Sequence, residues 1–199
     1  MEQSNKITRR KVVAGISAIG GVSLVAPAWA LSGAQAEQLV TSAVDEINKI
    51  IASGKSENAM LRDFERVFSR YADVNIIALT TLGPARRSAS QAQISAYSKA
   101  FRGYFTRKYG RRFREFVGGE INVKSSRESR GVIEVKSTAN LRGSAPFDVT
   151  WLVSDKSGSP KIFNIIIEGV NTLTSERAEI GAMLDKRGGD ISRLTADLK

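Results

Sequence analysis

The chain of 199 residues contains no cysteine and no histidine. Without cysteine it can form no disulfide, no thiolate nucleophile and no cysteine-ligated metal site. Without histidine it lacks the usual general base near neutral pH and the commonest metal ligand. An enzyme of this composition would depend on carboxylates, lysine, tyrosine or serine. The two absences therefore argue against catalysis and against a protein-held metal or cofactor.

Sequence motifs that carry chemistry are also missing. The chain has neither a glycine-rich phosphate loop nor a serine-nucleophile elbow. Asp63 and Glu65 lie two positions apart on a predicted helix, so their side chains face different ways. Asp148 is a candidate acid for a small enzyme, but nothing in the sequence pairs it with a second group.

The formal net charge is +10 at pH 7. Residues 1–30 contribute +3 of this charge, which leaves +7 downstream. A basic surface favours nucleic acid or anionic lipid headgroups, and charge alone does not choose between them. Aromatic residues are interspersed among basic ones between Arg102 and Arg114. This basic stretch predicts a surface for anionic partners or, alternatively, a solvated helix face whose aromatics point inward.

Residues 1–30 are typical of an export signal. A basic region ends at Lys11, an apolar stretch rich in glycine and alanine follows from Val12 to Ala26, and Ala28 and Ala30 supply small residues for signal peptidase. We expect cleavage before residue 31. The apolar run of about fifteen residues is shorter than the roughly twenty that a membrane span needs.

Two export routes fit this signal. The adjacent Arg9 and Arg10 resemble a twin-arginine signal, although Val12 and Val13 stand where that motif prefers Phe-Leu. A general secretory signal is the alternative. Either route leads across the inner membrane, which argues against nucleic acid as a partner.

Residues 31–199 are predicted to form one α+β domain. Apolar residues recur with a helical period in the first part, with a period of two in the middle, and with a helical period again at the end. The predicted helices cover 34–52, 57–71, 73–82, 90–109, 174–187 and 191–198, and about four strands lie between 121 and 168. This order predicts an antiparallel sheet with helices packed on one face.

The predicted sheet and helices face each other with apolar and aromatic side chains. In the last strand, alternation places Phe163, Ile165 and Ile167 on one face and Ile162 and Ile166 on the other. The predicted wall positions are Val149, Trp151, Phe163, Ile165 and Ile167 on strands, and Phe68, Ile77, Phe101, Tyr104 and Phe105 on helices. They could enclose a cavity or fill an ordinary core, because a sequence pattern cannot show space.

Several short segments follow one another in a specific order. They are Phe68–Val74, Leu82–Gly83, Gln93–Tyr104, Ile165–Val170 and Arg177–Ile180. In this order and spacing the chain resembles the MlaC family, the toluene-tolerance auxiliary family of phospholipid-transport proteins. It departs from the family pattern at Pro84–Arg87, where the family usually has an aromatic pair before an arginine. It also departs at Asn164, where the family often has Asp.

The resemblance implies a periplasmic carrier that holds the acyl chains of a phospholipid between sheet and helices. Such a carrier helps to maintain the lipid asymmetry of the outer membrane. The implied partners are an inner-membrane ABC transporter complex with its lipid-binding domain protein, and an outer-membrane lipoprotein complex. The phospholipid would be cargo, without any cofactor or metal, and we expect a monomer.

On this hypothesis the acyl chains lie among the wall positions, with Tyr71 and Arg87 at the cavity mouth. Two alternatives remain open. One is a small cavity-bearing α+β enzyme that uses an acid such as Asp148, and the other is a periplasmic interaction protein with a filled core.

Overall fold

A computed structural model describes residues 31–112, 119–141 and 143–199. The helices in this part are α1 (Gly33–Ile51), α2 (Glu57–Tyr71), α3 (Val74–Leu82), α4 (Gln91–Arg112), α5 (Thr172–Asp185) and α6 (Ile191–Asp197). The strands are β1 (Glu120–Ser129), β2 (Val132–Asn140), β3 (Phe147–Ser154), β4 (Lys161–Ile167) and β5 (Val170–Asn171). The predicted signal, with its cleavage residues Ala28 and Ala30, lies outside the described residues.

The helices begin where polar side chains can cap them. The Asp73 carboxylate accepts a hydrogen bond from the backbone nitrogen of Ile76 at 3.1 Å and opens α3. Ser90 and Gln93 exchange hydrogen bonds at the start of α4, in the pattern of a capping box. Ser56 precedes α2, but its side chain makes no capping hydrogen bond. Within the described part of the chain, no helix combines the length and apolarity that a bilayer crossing needs.

The sheet is antiparallel, with its strands in chain order from β1 to β5. The predicted α+β class with an antiparallel meander is confirmed. A fifth strand of two residues adds to the four predicted ones. It follows a tight turn at Glu168 and Gly169, where both residues have positive φ, +49° and +79°. Two consecutive residues of this kind are typical of the turns that join adjacent antiparallel strands.

The faces of β4 differ from the predicted alternation at one position. Trp151 of β3 pairs with Ile165, and Val153 pairs with Ile162, because the register shifts by one residue between these pairs. A β-bulge of this kind moves the next side chain to the other face of the sheet. Ile162 therefore lies on the same face as Ile165, and its predicted place on the opposite face is wrong.

Three apolar clusters fill the described part of the chain, and the smallest of them, Ile50, Phe64 and Val67, joins α1 to α2. In the first, Val40 and Val44 of α1 pack with residues of the sheet, among them Val135, Trp151 and Val153. The second, the helical core, lies among α3, α4, α5 and α6. Its fully buried members include Tyr97, Phe101, Ile180, Leu194 and Leu198. α1 packs on β1 and β2, whereas α3 and α5 pack on β4.

Candidate functional site: a cavity between sheet and helices

An apolar cavity of about 340 Å³ lies between the sheet and the helices. This volume is at the lower end of the roughly 300–1,000 Å³ of small-molecule sites in proteins. Most of its lining is aliphatic or aromatic. The lining includes Ala43 and Ile47 of α1, Phe64, Val67, Phe68 and Tyr71 of α2, Ile77 of α3, Phe105, Thr106, Tyr109 and Gly110 of α4, Leu173 and Glu176 of α5, and residues of β1, β3 and β4.

Stacked aromatic rings form the helical side of the cavity. The Phe68 and Phe105 rings lie 4.7 Å apart and are nearly parallel, at 11°. The ring of Tyr109 lies 4.4 Å from that of Phe105. Such stacking fixes the ring orientations. We call Phe68, Phe105 and Tyr109 the aromatic wall.

Trp151 contributes the largest side chain on the sheet side. Its indole nitrogen donates a hydrogen bond to Ser137 Oγ at 2.9 Å, and Ser137 donates in turn to the Val149 carbonyl at 3.1 Å. The one polar atom of the indole is thereby satisfied within the sheet. The ring can line the cavity without bringing an unpaired donor into it.

Eight of the ten predicted wall positions line this cavity. They are Phe68, Ile77, Phe105, Val149, Trp151, Phe163, Ile165 and Ile167. Tyr71, predicted at the mouth, lines the cavity as well. Phe101, Tyr104 and Arg87 lie elsewhere.

Phe101 is fully buried in the helical core. It precedes Phe105 by one helical turn, and its ring lies 5.7 Å from the Phe105 ring, so it packs behind the aromatic wall. The Tyr104 hydroxyl donates to Glu179 Oε1 at 2.6 Å on the exposed side of α5. Burial and this hydrogen bond raise the pKa of Tyr104 to about 12. Arg87 is exposed in the 3-10 turn that follows α3.

Tyr71 also connects two helices. Its hydroxyl donates to Glu46 Oε1 at 2.8 Å, and the neighbouring Arg70 guanidinium donates to the same oxygen at 2.6 Å. Partial burial, followed by the hydrogen bond to Glu46, raises the pKa of Tyr71. α1 and α2 are therefore held together directly beside the cavity.

Asn164, where the family often has Asp, holds β4 against the start of α5. Its carbonyl oxygen accepts hydrogen bonds from the backbone nitrogens of Ile165 at 2.8 Å and Leu173 at 3.1 Å, and from the Thr172 hydroxyl at 3.2 Å. Its amide nitrogen donates to Asn171 Oδ1 at 3.0 Å. A carboxylate could not make this last bond, so Asn164 and Asn171 are matched to each other.

Glu176 lines the cavity and was missed from the sequence. It is 1% exposed, and its Oε1 accepts hydrogen bonds from Lys108 Nζ at 2.6 Å and from the Tyr109 hydroxyl at 2.5 Å. Lys108 also pairs with Glu179. Glu176 precedes Ile180 by four residues, so it lies on the buried face of α5. In the sequence, Glu176 stands at a position where the helical pattern of α5 calls for an apolar residue. This was the signal that could have indicated a buried carboxylate.

Burial and the neighbouring carboxylates shift the pKa of Lys108 in opposite directions. Burial disfavours the ammonium, but the hydrogen bonds to Glu176 and Glu179 outweigh it and raise the pKa of Lys108. The hydrogen bond from Lys108, followed by the one from Tyr104, lowers the pKa of Glu179. Lys108 and Glu179 therefore form an ion pair between α4 and α5.

The family profile of MlaC proteins matches residues 41–199, which is most of the chain. The chain belongs to the MlaC family. The resemblance carried by the ordered segments is therefore confirmed.

A solved structure has the same fold as this MlaC-family chain. It is a phospholipid-binding protein from Ralstonia solanacearum, solved at 1.53 Å in complex with a phospholipid. The two chains superimpose with a TM-score of 0.67 at 19% sequence identity, over 82% of this chain and 98% of that one. At this identity the likeness establishes a shared fold.

The described cations of the basic stretch form hydrogen bonds or ion pairs with acceptors inside the protein. Each has an acceptor on another helix, which holds α4 to α2, α5 and α6. The pairs are Arg102–Glu65, Arg107–Leu198 carbonyl, Lys108–Glu176 and Arg111–Glu57. The Arg112 side chain and residues 113–118, including Arg114, lie outside the described part.

A second basic surface lies along α2; it shares Arg102 with the basic stretch, and its other cations were not predicted. This groove, which we call the basic groove, contains five cations and two carboxylates. They are Lys55, Arg62, Arg66, Arg70, Arg102, Asp63 and Glu65. The hydrogen bond from Lys55 is the main cause that lowers the pKa of Asp63.

Little in this MlaC-family cavity resembles a catalytic or metal centre. Among the described residues, no cluster of three or more acidic, histidine or cysteine side chains could hold a metal. Asp148, the candidate acid of the enzyme alternative, is exposed. It alternates with the cavity residue Val149 on β3 and so lies on the outer face of the sheet.

Proposed function

We propose that this chain is a periplasmic phospholipid carrier that shuttles lipid between outer-membrane and inner-membrane Mla complexes and so maintains outer-membrane lipid asymmetry. The apolar cavity in a chain of the MlaC family carries the proposal. The shared fold with a protein solved in complex with a phospholipid supports it.

In this proposal the acyl chains lie between the aromatic wall and the sheet residues Trp151, Ile165 and Ile167, with Tyr71 beside the mouth. Each methylene removed from water contributes about 0.8 kcal/mol, so two chains of about sixteen carbons amount to roughly 25 kcal/mol. A free lipid cannot cross an aqueous compartment at a useful rate against this barrier. An apolar cavity lowers this barrier in proportion to the length of acyl chain that it encloses, and carriage requires no catalytic residue.

We further propose export by the N-terminal signal and docking to two membrane complexes. These are an inner-membrane ABC transporter complex with its lipid-binding domain protein, and an outer-membrane lipoprotein complex. The basic groove on α2 is the surface we propose for approach to acidic partners, because its cations outnumber its carboxylates.

Native mass spectrometry of the protein isolated without detergent tests carriage directly. We expect a bound mass that matches a phospholipid and is released on denaturation. A protein that carries no lipid, and takes up none from phospholipid vesicles, would contradict the proposal and favour an interaction protein.

A matched pair of variants on β3 locates the lipid. Val149→Trp fills the cavity and should abolish the bound mass, because Val149 lines it. Thr150→Trp adds the same side chain at the next position, on the outer face, and should retain the lipid. Equal retention by both variants would place the lipid elsewhere.

Charge reversal tests the docking surface. Arg62→Glu with Arg66→Glu should slow lipid transfer more at low salt than at high salt, because salt screens exposed charges. Lys124→Glu with Lys156→Glu alters two exposed cations away from the groove and is the control. A loss that is independent of salt would contradict an electrostatic role for the groove.

A further inference from the structure

Leu31, the residue directly after the expected cleavage site, is fixed to a distant part of the chain. Its backbone nitrogen donates a hydrogen bond to Asp155 Oδ2 at 3.2 Å, in the turn between β3 and β4. Its side chain packs against the apolar cluster of α1 and the sheet. Ser32, the next residue, caps α1 in a capping box with Gln35. Leu31 is therefore part of the folded domain.

The Asp155 carboxylate has one partner in the described part of the chain. The Leu31 nitrogen donates to it, and no described side-chain cation forms an ion pair with it. Lys156, the next residue of the turn, instead extends its ammonium towards Gly131 in the turn between β1 and β2. Leu31 and Asp155 are both half-buried. A partly buried carboxylate is stabilised more by a charged donor than by a neutral one.

Cleavage before Leu31 changes the chemistry of this nitrogen. Signal peptidase would hydrolyse the amide bond between Ala30 and Leu31 with one water molecule, which leaves a carboxylate on Ala30 and an amine on Leu31. An α-amine is mostly protonated at neutral pH, and a neighbouring carboxylate favours the protonated form. The atom that donates to Asp155 as a neutral amide then carries a positive charge.

We propose that removal of the signal creates an ion pair between the α-ammonium of Leu31 and the carboxylate of Asp155, which fastens the start of α1 to the turn between β3 and β4. The ion pair rests on the proposed export, since the charge arises only by cleavage at this bond. A cut one residue later would remove the packing of Leu31, and a cut several residues earlier would move the charge away from Asp155. α1 carries Ala43 and Ile47 of the cavity lining, so the ion pair also steadies one side of the cavity.

Two measurements test the ion pair. The intact mass of the protein isolated from the periplasm locates its N-terminus, and we expect Leu31. Urea denaturation at neutral pH then compares the mature protein with a form that retains Ala28–Ala30, both released from the same fusion by a site-specific protease. The longer form keeps the amide N–H of Leu31 and lacks the charge on it. We expect an unfolding equilibrium constant about 2- to 5-fold smaller for the mature form.

A variant at Asp155 separates the charge from the hydrogen bond. Asp155→Asn keeps an acceptor oxygen for the Leu31 nitrogen and removes the negative charge, so the mature and longer forms of this variant should unfold with equal constants. Asp148→Asn is the matched control, because it neutralises an exposed carboxylate on β3. It should retain the difference between the two forms.

The possible failures can be told apart. Equal constants for the two wild-type forms, or a difference that persists in Asp155→Asn, would overturn the ion pair. A mass that shows another N-terminus would overturn it together with the expected cleavage. Bound phospholipid, measured on the same periplasmic sample, reports on carriage separately. Its presence leaves carriage standing when the ion pair fails, and its absence contradicts carriage while the ion pair is judged by the denaturation alone.

Discussion

The helical core and the cavity are built from the same kinds of side chain, yet one is filled and the other is open. α4 contributes to both, since Phe101 lies in the helical core and Phe105, one turn later, lines the cavity. Phe101 is enclosed by neighbouring helices, whereas Phe105 faces the cavity between the helices and the sheet. An apolar position in the sequence therefore indicates that the side chain is buried. Only the residues packed around it in the fold decide whether an open space remains beside it.

The largest expected difference comes from truncating these two phenylalanines. Phe101→Ala creates a new cavity in a filled core and should reduce the free energy of unfolding by about 3–5 kcal/mol. Phe105→Ala enlarges an existing cavity, so its loss should be clearly smaller. Urea denaturation of both variants measures the difference. Equal losses would mean that the two regions are packed alike.

The boundary between the two regions depends on Lys108. Lys108→Met leaves the buried Glu176 carboxylate without its cation, which should destabilise the fold by about 3 kcal/mol. Arg111→Met is the control, because the Arg111–Glu57 pair is exposed, with its atoms 3.6 Å apart, and should contribute less than about 1 kcal/mol. Similar unfolding curves for the two variants would contradict a special role for the buried pair.

Enlarging a small side chain should also destabilise the helical core more than the cavity. Ala78→Leu inserts a larger side chain into the helical core, where Ala78 is fully buried, and should destabilise by about 1–3 kcal/mol. Ala43→Leu extends into the cavity and should cost less stability while it reduces bound lipid. Thermal unfolding together with native mass spectrometry checks both effects. A larger loss of stability for Ala43→Leu would contradict the open cavity.

The smallest effect is a dependence on pH. The folded-state pKa of Glu179 lies below its ordinary value of 4.5, so its stabilisation is present above that pH and is lost as the pH falls through the folded pKa. Lys108→Met removes the main cause of this shift. The variant should therefore lose less unfolding free energy than wild type as the pH falls below 4.5. An unchanged difference would mean that Glu179 gains nothing from Lys108.

Much of the fold could be predicted because its signals are local. Asp73 and Ser90 mark helix starts by their capping groups, and alternating apolar residues mark the strands. The bulge in β4 could not be predicted, since it depends on how Leu152 and Val153 pair with the next strand. The two-residue β5 has too few residues for a periodic pattern.

The candidate site was predicted less completely, for a related reason. Phe101 and Phe105 have the same period and the same chemistry, so no local signal separates a filled core from a cavity wall. Glu176 reads as an ordinary helix carboxylate until Lys108 and Tyr109 of α4 are placed beside it. Only folding buries one of its carboxylate oxygens without a hydrogen-bond partner among the described residues.

By itself, the sequence determined the α+β class, the order of the elements, the resemblance to the MlaC family and the apolar character of the facing surfaces. These properties follow from periodicity, capping residues and composition, which act within a few neighbouring residues. Only the tertiary structure decided where space remains and which aromatics border it. Space between layers is set by how separate elements pack, and no single segment contains that information.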